Sequence, residues 1–326
     1  MNYRELGKTG IKVSEIGFGA WAIGGAWGNV HDDESKKALN LAVKNGITFF
    51  DTADVYGDGH SEELIAELKK EQEDIKIATK AGRRLSPHAT EGYTRENLNA
   101  FIDRSREKLD MKTLNLVQLH CPPTDVYYTP EVFSYMDEMM NEEKIKHYGV
   151  SVEKVEEGLK AIEYPNVKTV QIVFNMFRQR PMELFFKECK KRNVGIIVRV
   201  PLASGLLTGK MSKGVTFDKN DHRNFNREGK AFDRGETFAG VDFEKGIDAV
   251  EELKAIMPKD YTMAQFALRW ILDFPAVSTV IAGARNEQQV LDNAKASELP
   301  PLSDDLHAQV TNIYEKYIKD DVHHRW

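Results

Sequence analysis

Short apolar segments alternate along the chain with longer segments of helical periodicity. The short segments have the length and the β-branched and aromatic content of buried strands, and they lie at residues 15–19, 47–51, 75–80, 114–120, 145–151, 169–174, 195–200 and 277–281. Helices are predicted at residues 33–45, 61–70, 94–109, 130–141, 153–162, 181–192, 243–256, 262–273 and 286–296. Two further strand segments, 3–6 and 11–14, flank a turn and predict a hairpin. The tail, 303–326, contains one more amphipathic helix.

This alternation predicts an α/β fold whose strands pair in parallel through right-handed crossovers. Eight such strands fit a (β/α)8 TIM barrel better than a doubly wound sheet, and we expect the N-terminal β-hairpin at the barrel bottom. A doubly wound sheet would also place a GxGxxG motif at its first strand–helix turn, and residues 17–24 lack the third glycine at that spacing. With no linker, short repeat or low-complexity segment, the chain is interpreted as one domain over residues 1–326.

Composition narrows the choice of partners and of compartment. The net charge of −6 disfavours nucleic acid and an anionic membrane as partners, because both require a cationic surface. No apolar run is long enough to span a bilayer, and the first residues carry no signal-peptide core. The two cysteines, Cys121 and Cys189, form no CxxC pair, so we expect a reducing, cytoplasmic location.

Polar side chains end several of the predicted strands, at the face of a barrel where active sites are built. Asp51 ends the second barrel strand with Tyr56 beyond it, Lys80 ends the third and His120 ends the fourth. A tyrosine with a pKa of about 10 is a weak acid at neutral pH, and a nearby Lys80 ammonium would lower that pKa. Asp51 would hold Lys80 in place, while His120 would orient a substrate oxygen.

Together these groups could donate a proton to a carbonyl oxygen while hydride arrives at the carbonyl carbon. The sequence shows no metal-ligand spacing and no nucleophile elbow. A redox cofactor is therefore expected, because protein side chains do not supply hydride.

Each of these residues also has an ordinary explanation when taken alone. Asp51 could be a helix cap or a turn residue, Tyr56 could pack against a loop, and Lys80 could be an exposed charge. Four coincidences at adjacent strand ends disfavour that interpretation. A metal-dependent barrel hydrolase is disfavoured because clustered histidine and acidic ligands are missing from the sequence.

Through these residues and their motifs the chain resembles the aldo-keto reductases along nearly its whole length. The matching pieces occur in the family's order and at its spacing, and they are residues 17–21, 50–57, 77–80, 117–120, 149–151, 205–210 and 281–285, with Gln171, Asn175, Gln289 and Asn293. Residues 205–210 further resemble the bacterial and channel-β-subunit-like branch of the family.

The resemblance implies a role for each matching residue. Tyr56 would be the general acid of a reduction, assisted by Lys80 and Asp51, with His120 orienting the carbonyl. The implied cofactor-binding residues are Gly19, Ala20, Trp21, Asp51, Ser151, Gln171, Arg199, Val200, Pro201, Leu202, Gly205, Lys210, Gly283, Ala284, Arg285, Gln289, Asp292 and Asn293. The implied substrate pocket consists of Trp21, Trp27, Tyr56 and His120.

The implied cofactor is NADPH, and Arg285 is the residue that favours it over NADH. Arg285 opens a predicted helix, where its guanidinium and the helix N-terminus both suit a 2′-phosphate. A solvated helix residue is the alternative for Arg285. Ser151 and Gln171 would hydrogen-bond the nicotinamide carboxamide, and the loop from Pro201 to Lys210 would cover the pyrophosphate.

The sequence departs from the family pattern at several strand ends. Arg199 stands where an aromatic residue usually stacks on the nicotinamide, Val152 replaces an asparagine, Cys121 a tryptophan and Ala282 a proline. A guanidinium can also stack, but its charge beside the ring should disfavour the oxidised cofactor. Stacking, an internal salt bridge and substrate binding all remain open for Arg199.

We therefore expect an oxidoreductase that reduces an aldehyde or ketone to an alcohol by hydride transfer from NADPH. The alternative is an NADPH-binding redox-sensing or regulatory subunit with slow turnover. The expected partner is a small carbonyl substrate. The oligomeric state is left open, with a monomer favoured.

Overall fold

The computed structural model describes residues 1–24 and 31–326. The chain begins with an antiparallel hairpin of β1 (Tyr3–Glu5) and β2 (Lys12–Ser14), joined through a 3-10 turn at Gly7–Thr9. Eight parallel strands follow and close into a barrel, each beside the next in chain order, with the last pairing back to the first. They are β3 (Ile16–Gly19), β4 (Phe49–Asp51), β5 (Lys76–Ala81), β6 (Leu114–His120), β7 (Ile145–Ser151), β8 (Val167–Val173), β9 (Gly195–Arg199) and β10 (Val277–Gly283). The predicted (β/α)8 fold is confirmed.

Helices cover the outside of this barrel, which explains why its strands are apolar on both faces. They are α1 (Asp32–Lys44), α2 (His60–Glu71), α3 (Arg95–Lys108), α4 (Pro130–Asn141), α5 (Val155–Ala161), α6 (Phe185–Lys191), α7 (His222–Phe225), α8 (Phe243–Ile256), α9 (Met263–Leu272), α10 (Glu287–Lys295), α11 (Asp304–Tyr317) and α12 (Lys319–Val322). Within the described residues, no helix is both long enough and apolar enough to cross a membrane.

The hairpin closes the end of the barrel at which the strands begin. Arg4 donates hydrogen bonds to the backbone carbonyls of Leu272 (2.6 Å) and of Val277 (2.7 Å), the first residue of β10. Leu6 and Val13 join the apolar cluster inside the barrel. The predicted position of the hairpin at the barrel bottom is confirmed, and the opposite end is left to the strand-end loops.

Many elements differ from the predicted bounds, most of them by one or two residues, and local reasons are visible for two helices and one strand. Helix α5 starts at Val155. The Glu157 carboxylate accepts hydrogen bonds from the backbone N–H groups of Glu153 and Lys154, which makes Lys154 the N-cap residue. Helix α6 starts at Phe185, after a separate 3-10 turn at Arg180–Met182. Strand β9 ends at Arg199, because Val200 adopts a positive φ of 53° and turns the chain.

The loop at 203–242 is ordered by its own polar side chains. The Asn226 Oδ1 accepts hydrogen bonds from the backbone N–H groups of Ala231 (2.9 Å) and Phe232 (3.0 Å), while its Nδ2 donates to Thr237 Oγ1 (3.1 Å). The Ser204 Oγ accepts from the Phe238 N–H (3.1 Å). The loop therefore has a defined path over the barrel, which brings part of it to the strand ends.

Candidate active site

A cavity of about 410 Å³ opens where the barrel strands end. Its volume falls in the range of small-molecule sites, roughly 300–1,000 Å³. The floor comes from strand ends: Gly19 on β3, Asp51 on β4, His120 on β6 and Ser151 on β7. Because the loops after parallel barrel strands gather on one face, side chains distant in sequence meet here.

Asp51, Lys80 and Tyr56 form a connected chain at this floor. The Lys80 ammonium donates to Asp51 Oδ1 (2.5 Å), to the carbonyl of Thr52 (2.8 Å) and to the Tyr56 hydroxyl (3.4 Å). Lys80 and Asp51 are almost completely buried, whereas Tyr56 is partly exposed to the cavity. The His120 ring lies edge-on to the Tyr56 ring, with centroids 5.9 Å apart. The four predicted catalytic residues therefore lie together.

The second Asp51 oxygen is held by two amides. Gln171 Nε2 (2.8 Å) and Gln118 Nε2 (3.1 Å) both donate to Asp51 Oδ2. Our sequence reasoning missed Gln118, although its position two residues before His120 places it on the same face of β6, which is the signal that could have found it. The carboxylate is thus fixed by two amides as well as by Lys80.

Burial dominates the ionisation of this site. It raises the pKa of the Tyr56 phenol above its ordinary value, while the Lys80 ammonium acts in the opposite direction. The Lys80 ammonium thus lowers the Tyr56 pKa as expected, but burial outweighs it and the net shift is upward. Burial also lowers the pKa of His120 well below its ordinary value, with Arg83 and Lys80 adding to the effect. At neutral pH Tyr56 carries its proton and His120 is uncharged.

The remainder of the cavity wall comes from the loop after β9 and from the start of α10. Val200, Ala203 and Ser204 have positive φ angles of 53°, 46° and 53°, and strained backbone of this kind concentrates at functional sites. Lys210 and Arg285 line the cavity. A pocket with strand-end polar groups at one end and cations beside a helix start suits an anionic dinucleotide.

Arg199 lines the cavity but is engaged in ion pairs. Its Nη2 donates to Glu153 Oε2 (2.8 Å) and to the Val152 carbonyl (3.0 Å), and its Nη1 lies 3.6 Å from Glu236 Oε2. Of the three alternatives open for Arg199, the internal salt bridge is present. Cys121, Glu153 and Glu236 also approach one another closely enough to ligate a metal, but Arg199 and Arg83 already pair with both carboxylates.

Most of the predicted cofactor and substrate residues line this cavity. Those that do are Gly19, Ala20, Trp21, Asp51, Tyr56, His120, Ser151, Gln171, Arg199, Val200, Pro201, Leu202, Gly205, Lys210, Gly283, Arg285, Gln289, Asp292 and Asn293. Lys80 lies behind Tyr56, and Ala284 is buried away from the cavity wall. Trp27 lies outside the described residues.

Several lining residues were not singled out by sequence reasoning, although Ser204 and Thr208 lie in the predicted loop from Pro201 to Lys210 and Ile281 in the matching piece 281–285. They are Ala22, Ser204, Thr208, Met211, Arg223, Glu236, Thr262, Ala264 and Ile281. Five of the nine lie on the loop at 203–242, where no periodic pattern indicates which side chains turn inward. Glu236 and Arg223 matter most, because they add charges to the cavity.

Comparison with known proteins agrees with this architecture. The aldo/keto reductase family model matches residues 15–315. The aldo-keto reductase YhdN of Bacillus subtilis (strain 168) is 30% identical over 335 residues, which cover 99% of this chain and 96% of that protein. A probable voltage-gated potassium channel subunit beta of Arabidopsis thaliana is 30% identical over 322 residues, covering 93% of each chain.

Among solved structures, the glycerol dehydrogenase AKR11B4 from Gluconobacter oxydans superposes with a TM-score of 0.78 at 26% identity, covering 97% of this chain and 96% of that one. The bacterial and channel-subunit relatives agree with the branch indicated by residues 205–210. On the family match, the identity and the shared barrel, this protein is a member of the aldo/keto reductase family.

Proposed function

We propose that this protein is an oxidoreductase that reduces an aldehyde or ketone to an alcohol with NADPH, and that Tyr56 is the general acid. The observation that carries the proposal is the chain from Asp51 through Lys80 to the Tyr56 hydroxyl at the cavity floor. Family membership supports the reaction class. The glycerol dehydrogenase among the similar structures acts, by its name, on a small polyol.

The environment of each residue at this site suits it to one role in the reaction. Bound NADPH supplies the hydride. Tyr56 donates its proton to the substrate oxygen, and the Lys80 ammonium stabilises the phenolate that results. Pairing with Asp51 holds that ammonium in place. Although burial lowers the pKa of Lys80, Asp51 and Tyr56 outweigh it and raise the pKa above its ordinary value. Uncharged His120 can hydrogen-bond the substrate oxygen without competing as an acid.

The cofactor is NADPH, held by the loop after β9 and by the start of α10. Arg285 and Lys210 line the cavity, and Gln289 accepts the backbone N–H of Arg285 (2.8 Å), which fixes the turn into α10. A guanidinium at a helix start is suited to the 2′-phosphate that distinguishes NADPH from NADH. Ser151 and Gln171 lie at the floor, where the carboxamide of the nicotinamide would bind.

The decisive substitution is Tyr56→Phe. Loss of a general acid slows the chemical step by about 100-fold or more, whereas NADPH affinity should change little because the ring is kept. The measurement is NADPH binding by fluorescence together with NADPH oxidation against a panel of small aldehydes and ketones. A variant that turns over as fast as the wild type would exclude Tyr56 as the acid.

The alternative function is an NADPH-binding regulatory subunit with slow turnover. It is supported by the relative in Arabidopsis thaliana, a probable potassium channel subunit beta. Single-turnover oxidation of bound NADPH by a reactive aldehyde separates the two functions. Fast consumption supports the reductase, while tight NADPH binding without consumption supports the regulatory subunit.

We place this activity in a reducing cytoplasm. Cys121 and Cys189 are both free and buried thiols, which suits a compartment in which disulfides are rare.

A further inference from the structure

Four charged side chains form a cluster beside the catalytic end of the cavity: Arg83, Glu153, Arg199 and Glu236. We call it the paired-charge cluster. Arg83 follows β5, Glu153 follows β7, Arg199 ends β9 and Glu236 comes from the loop at 203–242. Arg83 Nη2 contacts Glu153 Oε1 (3.1 Å) and Glu236 Oε1, and Arg199 contacts the same two carboxylates. Each of these side chains is at most 19% exposed.

Of the two carboxylates, Glu236 is the one that lines the described cavity. Its negative charge acts on the Tyr56 phenol in the direction that raises the Tyr56 pKa, so its field reaches the reacting end. Glu236 also arrives on a loop rather than on a strand. The barrel strands and their ends therefore supply Arg83, Arg199 and Glu153, and the loop adds Glu236 against both arginines.

The cofactor changes charge at this end during the reaction, because the nicotinamide ring is cationic only when oxidised. The guanidinium group of Arg199, which lines the cavity, and that of Arg83 beside it would favour the neutral, reduced form. A carboxylate between them offsets that field, and it does so strongly because charges interact more in a buried site than in water. The preference between the two forms of the cofactor thus depends on the residue that neutralises the arginines.

We propose that Glu236 sets the relative affinity of the pocket for oxidised and reduced cofactor, as the negative charge that the loop places against Arg83 and Arg199. The inference rests on the proposed use of NADPH. It also modifies the expectation that Arg199 disfavours the oxidised cofactor, because that effect is offset for as long as Glu236 stays between the two arginines.

The two carboxylates of the cluster are not equivalent. Burial and the negative charge of Glu236, opposed by Arg199, raise the pKa of Glu153 to about 8. Although burial opposes its ionisation, Arg83 and Arg199 hold the pKa of Glu236 well below its usual range. At neutral pH the proton of this pair therefore lies mainly on Glu153 and the negative charge mainly on Glu236. Glu153→Gln is the matched control, because it removes less negative charge than Glu236→Gln.

The test is to measure the dissociation constants of NADP⁺ and NADPH at pH 7 for the wild type, Glu236→Gln, Glu236→Asp and Glu153→Gln. Loss of one negative charge near the ring should weaken NADP⁺ relative to NADPH by about tenfold in Glu236→Gln. Glu236→Asp keeps the charge and should stay within about threefold of the wild-type ratio, as should Glu153→Gln. Thermal melting without nucleotide checks that each variant is folded.

The outcomes are distinct. If Glu236→Gln weakens both nucleotides equally, Glu236 only fastens the loop and the proposal is overturned. If Glu153→Gln shifts the ratio as far as Glu236→Gln, the placement of Glu236 is not the cause and the proposal again fails. If the wild type binds neither nucleotide, it is the proposed NADPH-dependent function that fails.

Discussion

Asp54 shows how a single buried carboxyl group makes the stability of the folded protein depend on pH. It lies two residues before Tyr56 and is completely buried, and within the described residues neither of its carboxylate oxygens has a hydrogen-bond partner. Burial, together with the nearby Glu62, raises the pKa of Asp54 to about 7. An unfolded chain releases this proton near pH 4. Between these two pH values the folded state therefore holds more protons, and its stability falls as pH rises.

Asp54→Asn removes the free-energy cost of ionising a buried carboxyl group, because an amide does not ionise. The gain in unfolding free energy over the wild type should be small at pH 4 and grow to as much as roughly 4 kcal/mol at pH 8. Urea denaturation at the two pH values measures the difference.

The matched control is Asp58→Asn in the same loop. Asp58 is exposed, and its hydrogen bond to Arg84 lowers the pKa of its carboxyl group, so this variant should gain nothing at pH 8. A gain for Asp54→Asn that is equal at both pH values would show that folding does not raise the pKa of Asp54.

At the scale of elements, Trp326 fastens the loop that carries Glu236. Its indole Nε1 donates to Asp233 Oδ1 (2.9 Å), and the Arg178 guanidinium lies 4.4 Å from the ring centroid. The indole also packs against Gly235 and Gly240, where an added Cβ would come within 2.9 Å and 2.5 Å of it. The loop thus depends on a residue far away in the sequence.

Trp326→Ala should lower the free energy of unfolding by about 3 kcal/mol, as expected when a buried aromatic side chain is removed. It should also speed trypsin cleavage after Arg234, because the loop loses its packing partner. Thermal melting and limited proteolysis measure the two effects. Trp326→Phe keeps an aromatic ring but lacks the indole N–H, so it should lose less unfolding free energy than Trp326→Ala. Unchanged trypsin cleavage in Trp326→Ala would mean that the loop is held by its own hydrogen bonds.

At the scale of the whole molecule, the two ends of the barrel have separate tasks. The hairpin closes the bottom through a very close backbone approach: Gly7 has a φ of 52°, and a Cβ added there would lie 2.2 Å from the backbone N of Gly195 at the start of β9. The cavity opens at the other end. Changes at the bottom should therefore affect stability rather than binding.

Gly7→Ala should cost on the order of 3 kcal/mol of stability, from backbone strain together with the clash against β9. The folded fraction should bind NADPH with wild-type affinity. Chemical denaturation and nucleotide titration measure the two properties. Gly10→Ala is the control, because Gly10 also has a positive φ (70°) but has open space around an added Cβ, so it should cost only about 1 kcal/mol. Equal costs for the two variants would mean that contact with Gly195 is unimportant.

The barrel, the hairpin and the four residues predicted to be catalytic could be located from the sequence. Strand and helix periodicities are local, because they follow from the geometry of the backbone, and the order of strands in a parallel barrel follows from their order in the chain. Asp51, Lys80 and His120 could be placed together since each ends a strand. Arg285, predicted to face a 2′-phosphate, could be placed because it comes just before the helix predicted at 286–296.

How these groups are charged and what surrounds them could be learned only from the folded protein. The raised pKa of Tyr56, the ion pairs of Arg199 and the entry of Glu236 into the cavity depend on burial and on distances between segments far apart in the chain. The loop at 203–242 has no repeating pattern, so its inward side chains could not be read from spacing. Electrostatic energies vary steeply with distance and burial, and neither quantity is encoded in local sequence.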